Sequence, residues 1–145
     1  MRMFLILITV VLMSVSVFAN EVDDKSKKEL KKDTFSITVK ITKIKGKKGV
    51  IRVGLYNKAK SFPKNKKVFK GIVVSDITGK VKEVIFKDIK KGKYAIAIFH
   101  DKNKNNKLDT NFFGAPKEGI GFSKNVSATF GPPSFKKASI YQSYS

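Results

Sequence analysis

From Thr34 onward, apolar side chains recur at every second position. Phe35, Ile37, Val39 and Ile41 alternate with Ser36, Thr38, Lys40 and Thr42. Successive side chains of a strand point to opposite sides, so this spacing predicts a strand with one buried face. Residues 50–56 predict a second strand. The turn Lys45-Gly46-Lys47-Lys48-Gly49 joins the two, and together they read as a hairpin. Residues 69–76 and 81–87 add two strands, broken at Thr78-Gly79. Residues 92–100 form the strongest strand, and residues 121–129 and 136–144 supply the last two. Gly131-Pro132-Pro133 interrupts regular structure between them, because proline has no N–H to donate to a ladder. About seven short strands and no convincing helix predict an all-β fold, an antiparallel β-sandwich of the immunoglobulin-like or prealbumin-like kind.

The N-terminus predicts export. Met1-Arg2-Met3 is followed by an apolar run over residues 4–17 and then by Val17-Phe18-Ala19. This is the pattern of a signal peptide (residues 1–19) cleaved after Ala19, and the run is shorter than the roughly 20 residues of a membrane span. The chain contains no cysteine, which excludes a lipid-anchored form and any disulfide. Residues 20–33 are almost entirely charged or polar and read as a flexible spacer. Residues 34–145 then make one domain, periplasmic or secreted.

The formal net charge is +20, carried by 31 basic residues of which only Arg2 and Arg52 are arginine. Such a charge attracts anionic lipid or anionic glycan at a cell envelope. The scarcity of planar, bidentate guanidinium groups argues against nucleic-acid recognition. The even spread of the lysines also fits a compositional bias that fills solvated faces.

The densest chemical signal is His100-Asp-Lys-Asn-Lys-Asn-Asn-Lys-Leu-Asp-Thr-Asn-Phe112. Asp101, Asn103, Asn105 and Asp109 match positions one, three, five and nine of an EF-hand-type loop. Lys107 would add its backbone carbonyl at position seven. Position six is Asn106 instead of glycine, and position twelve is Phe112 instead of the bidentate glutamate. Glu118 could stand in for that glutamate if residues 114–119 fold back. With so few carboxylates among lysines, the expected ion is Ca²⁺ at weak affinity, about 10⁻⁴–10⁻³ M. The alternative is an ion-free turn whose Asx side chains bond their own backbone.

The run from Phe86 through Gly92-Lys-Tyr94 and His100 to Asp109 resembles the bacterial family known as domain of unknown function 2141. So do its continuation from Phe113 to Asn125 and the segment Gly131-Pro-Pro-Ser-Phe135 with Ala138. The resemblance extends, more weakly, back to residues 49–56. It implies a small exported bacterial protein without an established activity, and it adds no site residues.

No catalytic constellation stands out. His100, the sole histidine, reads as a packed or hydrogen-bonded strand-end residue. A hydrolase using His100 with Ser123 or Ser134, or Asp109 and Glu118 as paired acids, is the competing enzymatic reading. Tyr94, just after Gly92, is either a corner tyrosine bonding back to the backbone or a plain core aromatic. Phe62 reads as a plug beneath its loop. Phe112, Phe113 and Phe122 either close the end of the sandwich, the preferred reading, or rim a recognition surface beside the loop. The whole reads as a non-enzymatic binding or accessory domain.

Overall fold

The computed structural model describes residues 7–13 and 34–143. Its strands are β1 (Leu7–Met13), β2 (Thr34–Thr42), β3 (Val50–Tyr56), β4 (Lys70–Val74), β5 (Lys82–Lys90), β6 (Gly92–Asp101), β7 (Ile120–Phe122) and β8 (Ile140–Gln142). All pairings are antiparallel. One sheet has the order β1-β2-β5. The other has the order β4-β3-β6-β7, with β8 pairing the start of β6. The fold is all-β, built from two sheets.

The alternation read from the sequence has its physical cause in the space between those sheets. Ile37, Val39 and Ile41 of β2 meet Ile51, Val53 and Leu55 of β3 and Ile96 and Ile98 of β6, with Phe86 and Ile89 of β5. Each fully buried isoleucine or leucine contributes about 2 kcal/mol through removal from water. The Tyr94 hydroxyl donates to the Lys90 carbonyl four residues upstream, at 2.9 Å. Of the two readings of this tyrosine, the one with a bond back to the backbone is the one present, and burial raises its pKa.

Three strand expectations need correction. The segments 34–42 and 50–56 are both strands, but they are not a hairpin, because β2 pairs with β1 and β5 while β3 pairs with β4 and β6. Period two reports which face is buried and is silent about the partner; the connection crosses between sheets and buries Ile44 on the way. The strand expected over 121–129 is only Ile120–Phe122. A 3-10 turn at Ser123–Asn125 ends it, with Lys124 and Asn125 at φ of 60° and 52°, left-handed values no strand accommodates. The last segment begins as a helical turn, α1 (Phe135–Ala138), which Ser134 caps by accepting from the Lys137 N–H. β8 follows it.

The expected leader is partly described. Its residues Leu7–Met13 form β1, paired with β2 from Leu7↔Thr42 to Met13↔Ser36. The expected cleavage point after Ala19 and the spacer over 20–33 lie outside the described residues. Because β2 also pairs fully with β5, a chain beginning at residue 20 is expected to stay folded while the β2 amides facing β1 lose their protection. Amide hydrogen exchange of the 1–145 and 20–145 chains should show that contrast at alternate residues of β2.

Candidate functional site

Two features belong to the five-stranded sheet: the 101–109 loop at the end of β6 and a trough in the sheet's outer face. Gly49 starts the loop's support. It has φ +90°, and a Cβ there would fall 2.2 Å from the Asp101 carbonyl oxygen. Only glycine lets the start of β3 press against the end of β6 at this point. Asp101 itself is fully buried. Its Oδ2 accepts from Arg52 Nε at 2.6 Å and from the Asn106 N–H at 2.9 Å, and its Oδ1 accepts from the Asn105 N–H at 3.0 Å. Burial opposes ionisation, but Arg52 and the two backbone donors outweigh it and hold the carboxyl below its ordinary value.

The remaining predicted ligands are drawn together. Asn103 Nδ2 donates to Asp109 Oδ2 at 2.7 Å, and Asn105 Nδ2 donates to Asp109 Oδ1 at 3.0 Å. The two amide oxygens accept from backbone: Asn103 Oδ1 from the Asn105 N–H at 3.1 Å, Asn105 Oδ1 from the Lys107 N–H at 2.8 Å. Asn106 has φ 62°, the left-handed conformation a sixth-position glycine would take. The 114–119 segment does fold back, through Lys117 N–H to the Asp109 carbonyl at 2.8 Å. Glu118, also buried, closes the loop by accepting from the Lys102 N–H at 2.8 Å and the Asp109 N–H at 3.1 Å. The loop thus gathers Asn103, Asn105 and Asp109 at one point, with Asp101 tied to Arg52 and Glu118 bracing both ends.

The trough arises from a row of small residues. Gly71 of β4, Gly54 of β3 and Ala97 of β6 are register neighbours, and Ala97 faces Phe122 of β7. The row brings little side chain of its own: Tyr56 and Val68 close over Gly54, each with an atom 2.9 Å from where a Cβ would stand, and the trough opens beside them over Gly71 and Ala97. One end is walled by Tyr56, Pro63 and Phe122, and Phe62 packs edge-to-face on Tyr56 and Phe122 with ring centroids 5.3 and 5.9 Å away. Phe62 is thus the plug its loop was expected to have. The Arg52 and Phe99 end is walled by Leu108 and Pro116, and the cavity encloses about 920 Å³. Burial pushes the Tyr56 hydroxyl, which borders it, up to about 12, so it is neutral at physiological pH.

His100 and Ser123, two of the enzymatic candidates, are held by backbone. His100 is buried, and its Nε2 lies 2.7 Å from the Lys48 carbonyl, an acceptor that requires the ring nitrogen to carry the proton. The Ser123 hydroxyl donates to the Ala138 carbonyl at 2.6 Å and accepts from the Ile96 N–H at 2.9 Å. Of the three phenylalanines read together, Phe122 is buried, whereas Phe112 and Phe113 are 97% and 89% exposed. Phe122 packs with Tyr56, Phe62 and Ala138, apart from the core between the sheets, and closure of a sandwich end describes neither Phe112 nor Phe113. Sequence reasoning missed the Gly71-Gly54-Ala97 row and Phe130, whose partners lie on strands far apart in the chain. It also missed Arg52 as the partner of Asp101.

Removing Arg52 strands a buried carboxylate, so Arg52→Ala is expected to cost about 3 kcal/mol in urea unfolding. The lowered Asp101 pKa carries a sign. Its stabilisation is complete above the unfolded value of about 3.9 and is lost as pH falls through the lower folded value. In Arg52→Ala the acid limb of the stability curve should move to higher pH, as burial then weighs more. Urea titrations between about pH 6 and 2 read both effects.

The family model described as "Uncharacterized protein conserved in bacteria (DUF2141)" matches residues 39–143, and the chain belongs to that family. No curated protein and no solved structure matches the chain.

Proposed function

We propose that this family member is a non-enzymatic binding module of the bacterial cell envelope, whose ligand lies in the trough over Gly54, Gly71 and Ala97. The observation that carries this reading is the trough itself. A cavity of about 920 Å³ with a mostly apolar lining falls in the size range of small-molecule sites. Export by the N-terminal leader supplies the compartment. The Tyr94 corner bond and the two-sheet core support an immunoglobulin-like or prealbumin-like sandwich as the scaffold. The backbone partners of His100 and Ser123 favour binding over hydrolysis.

A neutral apolar dye such as N-phenyl-1-naphthylamine is expected to bind saturably, with enhanced fluorescence. Gly71→Leu should weaken that binding about tenfold or more, since it fills the floor with a fully apolar side chain. A Cβ at Gly71 meets nothing closer than Val68 at 3.6 Å, so the fold has room for it. Unsaturable or unchanged dye binding in the variant would remove the trough as the site.

Weak Ca²⁺ binding is the second reading, supported by the convergence of Asn103 and Asn105 on the Asp109 carboxylate. An ion there would exchange amide N–H donors for amide oxygens, at the expense of two Asx-turn bonds, while Arg52 keeps Asp101 partly neutralised. A dissociation constant of about 1 mM is therefore expected. At about 10 mM Ca²⁺ this gives roughly 1.4 kcal/mol of stabilisation, a rise in melting temperature of about 5 °C. Asp109→Ala should abolish the rise; an unaltered melting temperature in the native chain would leave the loop a purely hydrogen-bonded brace.

A further inference from the structure

Phe112, Phe113 and Phe130 are 97%, 89% and 103% exposed. These are among the largest apolar side chains available, and leaving them in water gains nothing for the fold. Two ordered turns hold them out. Asn111 Oδ1 accepts from the Phe113 and Ala115 N–H groups at 3.0 and 2.9 Å, and the Gly114 N–H returns to the Asn111 carbonyl at 2.9 Å. The Phe112 and Phe113 rings pack edge-to-face at 5.6 Å on that tip. Phe130 stands on a second turn, closed by the Gly131 N–H to the Ala128 carbonyl at 3.2 Å. Phe113 and Phe130 both border the mouth of the trough, as do Lys66 and Lys117.

The charges around this mouth are one-sided. The loop on one flank carries Lys58, Lys60, Lys64, Lys66 and Lys67, with no acidic residue between 57 and 69. On the other flank the acidic side chains are already bonded within the protein. Asp101 holds Arg52, Glu118 holds two backbone N–H groups, and Asp109 holds two amides. What remains for a partner is apolar aromatic tips set among ammonium groups. A bilayer with anionic headgroups complements both at once: acyl-chain boundary for the rings, lipid phosphates for the lysines.

We propose that the Phe112-Phe113 and Phe130 tips form a membrane-docking surface for an anionic lipid bilayer, with the lysines of the rim meeting the headgroups. The surface goes beyond the trough-ligand reading, since rim and floor are altered by different substitutions.

The chain has no tryptophan, so Phe113→Trp and Phe130→Trp each introduce a single fluorescent reporter at a tip. The protein as purified after bacterial expression is mixed with phosphatidylglycerol/phosphatidylethanolamine vesicles and, separately, with phosphatidylcholine vesicles. Both reporters are expected to shift to shorter wavelength and to be quenched by brominated acyl chains in the anionic vesicles alone. The triple variant Phe112→Ser/Phe113→Ser/Phe130→Ser, checked for an unchanged circular dichroism spectrum, should partition about tenfold more weakly, since a comparably small buried apolar area separates weak from firm interfacial binding. Reporters that stay water-exposed on vesicles would overturn the proposal. Undiminished partition of the triple variant would overturn it too, in favour of lysine electrostatics or of a different docking face. Dye binding by Gly71→Leu tests the floor separately, so loss of either result identifies which reading failed.

Discussion

One buried carboxylate organises the functional end of this domain. Asp101 ends β6, pairs with Arg52 of the adjacent strand, and gives its remaining acceptor capacity to the N–H groups of Asn105 and Asn106. An isolated buried charge would be prohibitively costly, and an arginine with two backbone donors makes it tolerable. The same three bonds start the loop in one conformation, and Gly49 allows β3 close enough for the arrangement to form. The rest of the loop follows from that anchoring. Glu118 can brace Lys102 and Asp109 only because Asp101 has already turned the chain.

The loop and the trough are therefore one construction. Arg52 is both the partner of Asp101 and part of the trough wall, and Glu118 and Leu108 stand where the loop meets the sheet. The outer face of the sheet would be flat and solvated in an ordinary two-layer protein. Here the 57–69 loop, the 109–118 segment and the Phe130 turn rise around a row of small residues and make that face concave. A second apolar cluster, with Tyr56, Phe62, Phe122 and Ala138, packs on this face and fixes one end of the depression.

Charge distribution adds a separate layer. Most lysines among the described residues are exposed, and isolated surface pairs such as Lys82 with Asp76 add little to stability. The acidic groups near the trough are bonded within the protein: Asp101 to Arg52, Glu118 to two backbone N–H groups and Asp109 to two asparagine amides. The positive character of the rim rests on its lysines, five of them in the 57–69 loop with no acidic residue among them.

Local pattern determined a large share of this protein. Period-two alternation marked β2, apolar segments between turns marked β3 through β6, Thr78-Gly79 marked a break, and the Asx spacing marked the 101–109 loop, because each of these depends on residues close together in the chain. Tyr94 and Phe62 were legible for the same reason. The hairpin expected between β2 and β3 failed, as did the long strand after Ile120, because a pattern of buried faces carries no information about which strand lies alongside. Only the tertiary structure decided that Arg52 would meet Asp101, forty-nine residues on, and that Gly71, Gly54 and Ala97 would line up across three strands. Only packing could decide, too, that Phe122 would be buried while Phe112, Phe113 and Phe130 would stand in solvent. Those outcomes depend on sheet register and crossovers, which are set by the competition of many distant contacts for one core.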